Sequence, residues 1–525
     1  MWDHYTSWPS LTDRSFSGRH LPEASAEYQE YLTTVPATTV TELFRRTPDS
    51  YRHSEKSTVL FTHFAQWFTD GFLRTDRTDD RKNTSNHEID LCQIYGLNSS
   101  KEKQLRREND CKLKTSVIDG EHFPPLYFDE AGVGKPEFSE VIPFLPPEVS
   151  LPPERKEHVF VGGVERLNVS FGYVIMNTLF IREHNRLCDE LMRAYPSWDN
   201  ERIYQTARNT LIVILLRIVI EEYINHITPY HFQFRAEPWS FAREKWYRQN
   251  WMTVEFNLLY RWHSMVPNCV LVNGQFESVV DTVFNNRPLV NHGLGRMFDS
   301  ASRQAAAELG LFNTHPYMLN SAEQKSIELA RKSNLRSYND YRELFDYPRV
   351  TDWNQISGRP EVCEALRTTY KSVDHIELFA GLFAEDVRSR SALSPLIGRM
   401  VGVDAFSQAF TNPLLSPNVF NPETFSELGW KTIHETNSLG DLLHRNLGGE
   451  DGQFKVTMTR DGTELPESDC LPARDLIRGQ APITRWSEGH VADPRSPASS
   501  HLAGDADRHE AERASFDPAN LFKKK

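Results

Sequence analysis

Residues 255–263 read Glu-Phe-Asn-Leu-Leu-Tyr-Arg-Trp-His, and the rest of the chain can be interpreted outward from them. Phe256, Leu259, Tyr260 and His263 stand at positions i, i+3, i+4 and i+7. Because an α-helix has 3.6 residues per turn, a helix here would carry all four side chains on one face. The spacing therefore predicts an amphipathic helix that brings a phenol and an imidazole together.

The chemistry of these two polar side chains admits two interpretations. Most apolar helix faces of this kind are ordinary protein core. A neutral imidazole is, however, a good axial ligand for haem iron, and a phenol one turn away is placed to exchange an electron and a proton with an oxidised haem. The stretch alone leaves both interpretations open, so the surrounding chain must decide between them.

The composition is that of a large globular protein with an excess of acidic groups. The chain has 525 residues, 39% of them hydrophobic, and a formal net charge of −13. Such a charge disfavours nucleic acid or an anionic membrane as the main partner. Residues 1–10 lack the basic and apolar parts of a secretory signal, and residues 211–220, the most apolar stretch, are too short to cross a bilayer. We therefore expect no nucleic-acid partner and no transmembrane segment.

The cysteines are scattered along the chain, and no two of them form a CxxC pair. This distribution suits reduced thiols in a cytosolic compartment and gives no zinc signature. We therefore predict a cytoplasmic protein that associates with membranes loosely at most. The six residues are Cys92, Cys111, Cys188, Cys269, Cys363 and Cys470.

Helical periodicity dominates the chain, and strand patterns are scarce, so the predicted class is mainly α. The patterns predict helices over residues 57–74, 172–192 and 201–226, and a further helix near residues 245–262 that contains the stretch quoted above. Residues 487–525 contain few large apolar side chains, and we expect them to be disordered.

Seven segments follow one another in an order that resembles the cyclooxygenases (prostaglandin-endoperoxide synthases) and, more broadly, the animal-type haem peroxidases. That superfamily includes fungal linoleate dioxygenases and plant alpha-dioxygenases. The resemblance implies a multi-helix haem peroxidase-type catalytic domain with few short strands over residues 1–448, followed by an extension of unknown role over residues 449–486. The segments are Phe64-Ala65-Gln66, HEIDLCQIYG (87–96), CKLKTSVIDGEHFPP (111–125), REHNRLC (182–188), residues 205–230, residues 255–263 and residues 326–345.

Individual residues of this sequence match functional positions of the family. The resemblance implies that His263 is the proximal ligand of the iron of haem b, that Tyr260 forms the radical that attacks a fatty acid, and that Gln66 is the distal glutamine. It also implies an apolar substrate channel, which is the kind of lining an acyl chain needs. The channel positions are Tyr223, Ile224, Ile227, Thr228, Tyr230, Phe256, Leu259, Trp262 and Ser407.

The sequence departs from the family in its distal helix. The family's catalytic histidine stands four residues after the glutamine, where this chain has Asp70. An imidazole titrates near neutral pH, whereas an exposed carboxylate does not, so we expect weak peroxidase turnover. Two alternatives remain: an apolar pocket that raises the pKa of Asp70, or His63, one turn before Gln66, as a substitute base rather than a packed core residue.

Two further departures concern the group that binds the substrate carboxylate and the residue that supports the iron ligand. The chain begins where the family's catalytic domain begins, so we expect the growth-factor-like and membrane-binding modules to be absent, together with the arginine that pairs with the substrate carboxylate. Phe379 stands where the family has a tyrosine that supports the proximal ligand. His263 then needs another hydrogen-bond partner, or the potential of the iron will differ.

The resulting hypothesis is a haem-dependent dioxygenase that inserts O2 into a polyunsaturated fatty acid through a radical on Tyr260. The product would be a fatty-acid hydroperoxide or an endoperoxide. Two other classes stay open: a haem peroxidase that oxidises small phenols or halides with hydrogen peroxide, and a non-catalytic haem-binding protein. The sequence leaves open whether the protein binds calcium and whether it forms a homodimer.

Overall fold

The structure is a computed structural model that describes residues 12–145, 151–228, 233–244, 247, 250–447 and 453–467. The described part is mainly helical with a few short strands, which confirms the predicted class. The α-helices are α1 (Ala26–Thr33), α2 (Ala37–Glu42), α3 (Val59–Thr69), α4 (Cys92–Tyr95), α5 (Ser99–Leu105), α6 (Pro153–Lys156), α7 (Phe171–Ala194), α8 (Asn200–Ile218), α9 (Asn225–Ile227), α10 (Val254–Leu259), α11 (Val279–Thr282), α12 (Arg287–Ser302), α13 (Gln324–Lys332), α14 (Tyr338–Leu344), α15 (Pro360–Thr369), α16 (Leu378–Ala384), α17 (Pro395–Phe410), α18 (Pro422–His434) and α19 (Leu439–Asn446).

Two long helices form the centre of the fold. The side chain of Ser170 accepts a hydrogen bond from Gly172 N at the start of α7, and Asp199 accepts one from Arg202 N at the start of α8. These are the cap residues that satisfy the free N–H groups of a first helical turn. The predicted helices over 172–192 and 201–226 are confirmed, although α8 continues as a π-helix, Val219–Ile224, before α9.

Helix α3 packs against α7, and α18 packs against α8. The indole Nε1 of Trp67 donates to Oδ1 of Asn177 at 2.6 Å and so joins the first pair. The contact is close because the second residue of α7 is Gly172: a Cβ atom there would lie 2.1 Å from Nδ1 of His63. The position of α3, which carries the predicted distal residues, therefore depends on this glycine.

The strands form three antiparallel pairs. The pairs are β1 (His53–Thr58) with β6 (Ala305–Ala307), β2 (Ser116–Ile118) with β3 (Glu121–Phe123), and β4 (Cys269–Val272) with β5 (Gln275–Ser278). The first pair leads directly into α3. The strands thus connect helices rather than form a layer of their own.

The helix predicted near residues 245–262 is wrong in its extent. Of the described residues in this range, only α10, Val254–Leu259, is α-helical, and His263 begins a separate 3-10 turn that extends to Met265. In a continuing helix Leu259 O would accept from the N–H of His263, but the indole Nε1 of Trp262 donates to it instead, at 2.5 Å. Because the indole occupies this carbonyl group, the helix ends at Leu259, one residue before Tyr260.

All described residues belong to one compact unit, Met1–Trp486. Residues 453–467 lie against the helical body, where Met458 is 2% exposed and Thr459 accepts or donates a hydrogen bond at Nδ1 of His226. The predicted disordered tail, residues 487–525, lies outside the described residues. The division at residue 448 stays a prediction.

The structure bears on two sequence expectations, the absence of a transmembrane segment and the presence of reduced cysteines. Within the described ranges no helix is long and apolar enough to cross a membrane. Cys269 is disulfide-bonded, and its partner is not among the described residues. The expectation of reduced thiols is therefore wrong for Cys269 but holds for the buried free cysteines Cys92, Cys111, Cys188 and Cys363.

Candidate functional site

Tyr260 and His263 lie on a turn, not on one helix face. Thr253 caps the start of α10, and Tyr260 follows its last residue. The Tyr260 ring packs edge-to-face on Phe256, with ring centroids 5.0 Å apart, and stacks on Trp262 at 4.7 Å. The predicted apolar surroundings of the phenol are therefore present, although the helical geometry that predicted them is not.

The hydroxyl of Tyr260 is buried and has no well-formed hydrogen bond. Burial raises its pKa above the ordinary value for tyrosine, and the nearby hydroxyl of Tyr223 opposes the rise. Burial also raises the pKa of Tyr223, and the Tyr260 hydroxyl adds to that rise. Both phenols therefore stay protonated near neutral pH, and oxidation of Tyr260 must be accompanied by loss of its proton.

His263 faces a buried carboxylate that the sequence did not indicate. Its Nδ1 atom lies 3.3 Å from Oε2 of Glu323, and the side chains are 18% and 1% exposed. The other oxygen of Glu323 accepts a hydrogen bond from Thr314 Oγ1 at 2.7 Å. Neither Nδ1 of His263 nor Oε2 of Glu323 has a fully formed hydrogen bond within the described part of the chain. Each of these two buried atoms is the nearest charge partner of the other, which leaves Nε2 available to a metal ion.

A buried arginine holds the chain that follows His263. The guanidinium of Arg46 donates to Ser264 O at 3.1 Å, to Val266 O at 2.7 Å and, through Nε, to Asn313 O at 2.9 Å. Burial lowers the pKa of Arg46 to about 10, well above neutral pH, so the group stays charged. Because it satisfies carbonyl groups of two segments at once, Arg46 fixes the turn at His263 relative to the segment that precedes Glu323.

Arg261 lies between Tyr260 and His263 in the chain and is partly exposed. Burial lowers its pKa to about 10, well above neutral pH, so the guanidinium stays charged. Nη2 donates to Oδ1 of Asn257, whose amide donates to Thr75 Oγ1 at 2.9 Å. Its Nε is buried without a hydrogen-bond partner, and no carboxylate of the described residues forms an ion pair with it. Within the described part of the chain, Glu323 and Asp70 act on this positive charge only from beyond ion-pair distance.

The three polar residues of the distal helix differ in their exposure. Gln66 is exposed, whereas His63 is 8% and Asp70 is 7% exposed. His63 packs edge-to-face on Phe171 with centroids 5.6 Å apart, and burial lowers its pKa to about 4. The packed-core interpretation of His63 fits this placement better than the substitute-base interpretation.

Asp70 ends α3 in a polar, charged environment rather than in an apolar pocket. The hydroxyl of Tyr173 donates to Oδ2 at 3.0 Å, and guanidinium nitrogens of Arg166 and Arg74 lie 3.5 and 3.6 Å from its oxygens. Burial raises the pKa of Asp70, and the two arginines oppose the rise. Burial thus raises the pKa of Asp70, as in the apolar-pocket alternative, although its neighbours are charged and polar rather than apolar.

The predicted channel residues come together in the core. The π-helix Val219–Ile224, α10 and α17 pack against one another, and Phe61 bridges Tyr223 and Trp262 with ring centroids 5.4 and 5.6 Å away. Ser407 is 2% exposed on α17. Tyr230 lies outside the described residues. The other predicted channel side chains are all buried: Tyr223, Ile224, Ile227, Thr228, Phe256, Leu259 and Trp262.

Phe379, the residue in place of the family's supporting tyrosine, is part of the hydrophobic core. Its ring stacks on Phe44 at 5.2 Å and tilts against Phe383 at 5.0 Å. It offers His263 no hydrogen bond. Glu323 is the residue that sequence reasoning missed, because sixty positions separate it from His263 and its local sequence has no motif that points to a histidine partner.

Two further observations limit what the site contains. Two surface cavities, of about 760 and 270 Å³, are lined by other parts of the chain. Gln66 is exposed, and Tyr260, Arg261 and His263 are partly exposed. In the described ranges no three His, Cys, Asp or Glu side chains cluster as ligands of a metal ion, and the calcium question stays open.

Comparisons with known proteins give one consistent result. The sequence profile described as "Animal haem peroxidase" matches residues 38–458. Prostaglandin G/H synthase 1 of Mus musculus is 31% identical over 453 residues, which are 84% of this chain and 72% of that protein. Peroxidase A of Dictyostelium discoideum has a TM-score of 0.66 at 17% identity, covering 85% of this chain and 95% of that one. The fatty acid alpha-dioxygenase of Oryza sativa has a TM-score of 0.64 at 16% identity, with 83% and 81% covered.

Proposed function

This chain belongs to the animal haem peroxidase family, and we propose that it is a dioxygenase that inserts O2 into a polyunsaturated fatty acid. Its relatives by sequence and fold are oxidoreductases, among them prostaglandin G/H synthases and a fatty acid alpha-dioxygenase. The product is a fatty-acid hydroperoxide or an endoperoxide.

The residues around Tyr260 fit haem b. His263 would hold the iron through Nε2, because Nδ1 faces Glu323, and the guanidinium of Arg261 would attract the carboxylates of the porphyrin. Gln66 would add an exposed amide from α3. When bound, haem supplies the oxidising power that removes one electron from Tyr260.

Tyr260 carries the radical step in this proposal. As its electron leaves, Tyr260 must also give up its hydroxyl proton, since burial makes a charged side chain unfavourable here. The neutral radical takes a hydrogen atom from an allylic or bis-allylic carbon of the fatty acid, which restores the phenol. O2 adds to the carbon radical, and the resulting peroxyl radical takes the hydrogen atom of Tyr260, so the radical is regenerated and a hydroperoxide is released.

One observation supports this function above the alternatives: a buried phenol without a well-formed hydrogen bond lies between an apolar wall and the turn of His263. A haem peroxidase for small phenols or halides would need a mobile proton carrier in the distal helix, where Asp70 is tied to Tyr173, Arg74 and Arg166. A non-catalytic haem-binding protein would have no use for the buried phenol.

The test is oxygen uptake by the haem-loaded protein with linoleate or arachidonate. We expect uptake by the wild type that falls to background in Tyr260→Phe, while guaiacol oxidation is low in both and the haem spectrum is unchanged. The matched control is Tyr204→Phe, which removes another buried hydroxyl without a partner, among Tyr95, His184 and Arg106. Fast guaiacol oxidation without fatty-acid oxygenation would favour the peroxidase alternative.

The location and assembly of the protein also stay predictions. The charge and the absence of a spanning helix in the described part fit the proposed cytoplasmic location with a loose membrane association. The disulfide at Cys269 instead favours an oxidising compartment. A non-reducing gel of the protein from its native source shows whether the disulfide forms there, which decides between these locations. The elution volume in size-exclusion chromatography decides between monomer and homodimer.

A further inference from the structure

Glu323 and His263 each have one buried polar atom for which the described chain provides no fully formed hydrogen bond. These atoms, Oε2 and Nδ1, lie 3.3 Å apart. A buried carboxylate oxygen that lacks a donor costs free energy, and so does a buried ring nitrogen that lacks a partner. Each atom is what the other requires, because a protonated Nδ1 is a donor and a carboxylate is an acceptor only.

The backbone at Glu323 is a π-helical turn, and its side chain is directed toward the imidazole of His263. Residues Leu319–Glu323 form a π-helical turn immediately before α13, and such turns occur frequently at functional sites. Thr314 holds Oε1 at 2.7 Å, which leaves Oε2 toward the imidazole. Thr314 is itself placed by Arg46, whose backbone N donates to Thr314 O at 2.9 Å and whose guanidinium holds the carbonyl groups after His263. The two side chains are therefore positioned by one shared framework.

We propose that Glu323 is the positioning residue of the iron ligand: it accepts the hydrogen bond of Nδ1–H of His263, fixes the ring with Nε2 free, and increases electron donation from Nε2. The proposal rests on the proposed function in so far as His263 binds haem iron. It requires a change of a few tenths of an ångström, from 3.3 Å to the usual length of about 2.9 Å.

This role of Glu323 would compensate for two differences between this sequence and the family pattern. Phe379 offers no hydrogen bond at the position of the family's supporting tyrosine, and Glu323 supplies a stronger, anionic acceptor from a different segment. The distal helix has lost its histidine, so activation by peroxide receives little help from a distal base. An electron-rich proximal ligand assists the same step from the other side of the porphyrin.

The experiment compares the haem-loaded wild type with Glu323→Gln, which keeps the shape and removes the charge. We expect the FeIII/FeII midpoint potential to move to a more positive value and the iron–histidine stretching band of the ferrous protein to move to lower frequency. We also expect haem affinity to fall by about tenfold to a hundredfold. The control is Glu183→Gln, which removes a fully buried carboxylate from α7 that pairs with Arg186 and Arg445.

An unchanged potential and stretching frequency in Glu323→Gln would overturn the proposal, and so would equal shifts in Glu183→Gln. If His263→Ala retains the wild-type haem spectrum, the proposed function fails instead, and the two failures are distinguishable.

A second measurement does not depend on how well Glu323→Gln folds with its own histidine. His263→Gly leaves room for added imidazole or 1-methylimidazole as the iron ligand, and only imidazole has an N–H for Glu323. We expect a more negative potential with imidazole than with 1-methylimidazole, and a smaller difference in His263→Gly/Glu323→Gln. A difference of the same size in both proteins contradicts the proposal.

Discussion

The two sides of the candidate site are built differently. On the proximal side, the turn at His263 is held by Arg46, and its imidazole faces the buried carboxylate of Glu323. On the distal side, Gln66 is exposed, His63 is packed in the core, and Asp70 is fixed by a tyrosine and two arginines. On the proximal side, charged side chains are arranged around His263. On the distal side, the described residues His63 and Asp70 are each held by their neighbours.

This difference matters because the two sides serve different steps. A distal base helps to split a hydroperoxide, whereas a proximal ligand and a neighbouring phenol maintain an oxygenation cycle once it has started. A chain that keeps Tyr260 and His263 but lacks a distal histidine is therefore expected to oxygenate fatty acids better than it turns over peroxides. The following predictions test this contrast, beginning with the largest effect.

The largest effect is expected on the proximal side, in His263→Ala. This variant removes the imidazole that is proposed to hold the haem iron, so we expect loss of the Soret band of the haem-loaded protein, measured by absorption spectroscopy. His184→Gln is the control, because His184 is a buried histidine on α7 that contacts Tyr95 and Cys111 instead. A normal spectrum in His263→Ala would assign the ligand to another residue.

The distal side should gain function from a single substitution, Asp70→His. An imidazole at this position restores a group that titrates near neutral pH, and general acid–base catalysis typically contributes about a hundredfold or more. We expect guaiacol oxidation with hydrogen peroxide to rise by about tenfold to a hundredfold, while oxygen uptake with linoleate changes less. Asp70→Asn removes the charge without adding a base. Equal peroxidase rates in the histidine and asparagine variants would mean that the distal deficit lies elsewhere.

The third prediction concerns the stability of the folded protein against acid, through His63 in the distal helix. Burial lowers the pKa of His63 to about 4, below the value of about 6.5 in an unfolded chain. As pH falls, the unfolded chain therefore takes up this proton before the folded protein does. The contribution of neutral His63 to the free energy of unfolding is complete above about pH 6.5 and is lost progressively down to about pH 4. At about 1.4 kcal/mol per pH unit between these values, the loss reaches about 3 kcal/mol.

We expect the free energy of unfolding of the wild type to fall more steeply between pH 6.5 and pH 4 than that of His63→Gln. Urea titrations across this range measure both slopes. Parallel slopes would show that His63 is hydrated in the folded protein and free to act as a base, which would remove the contrast between the two sides.

Much of the fold was predictable because it follows local rules. The helices that follow Ser170 and Asp199 were predicted from their apolar periodicity and from the prolines that end them. The helix through Tyr260 and His263 was not, because the same spacing also fits one short helix followed by a turn. Only the position of the Trp262 indole, which takes the carbonyl of Leu259, distinguishes the two.

The candidate site divides in the same way. The sequence determined which groups are present: a phenol and an imidazole three residues apart, a glutamine in the distal helix, and an aspartate in place of a histidine. The tertiary structure decided what each group meets: Glu323 beside His263, Tyr223 beside Tyr260, and two arginines beside Asp70. Residue type and spacing are local properties of the chain, whereas burial, charge pairing and hydrogen bonding depend on segments that only folding brings together.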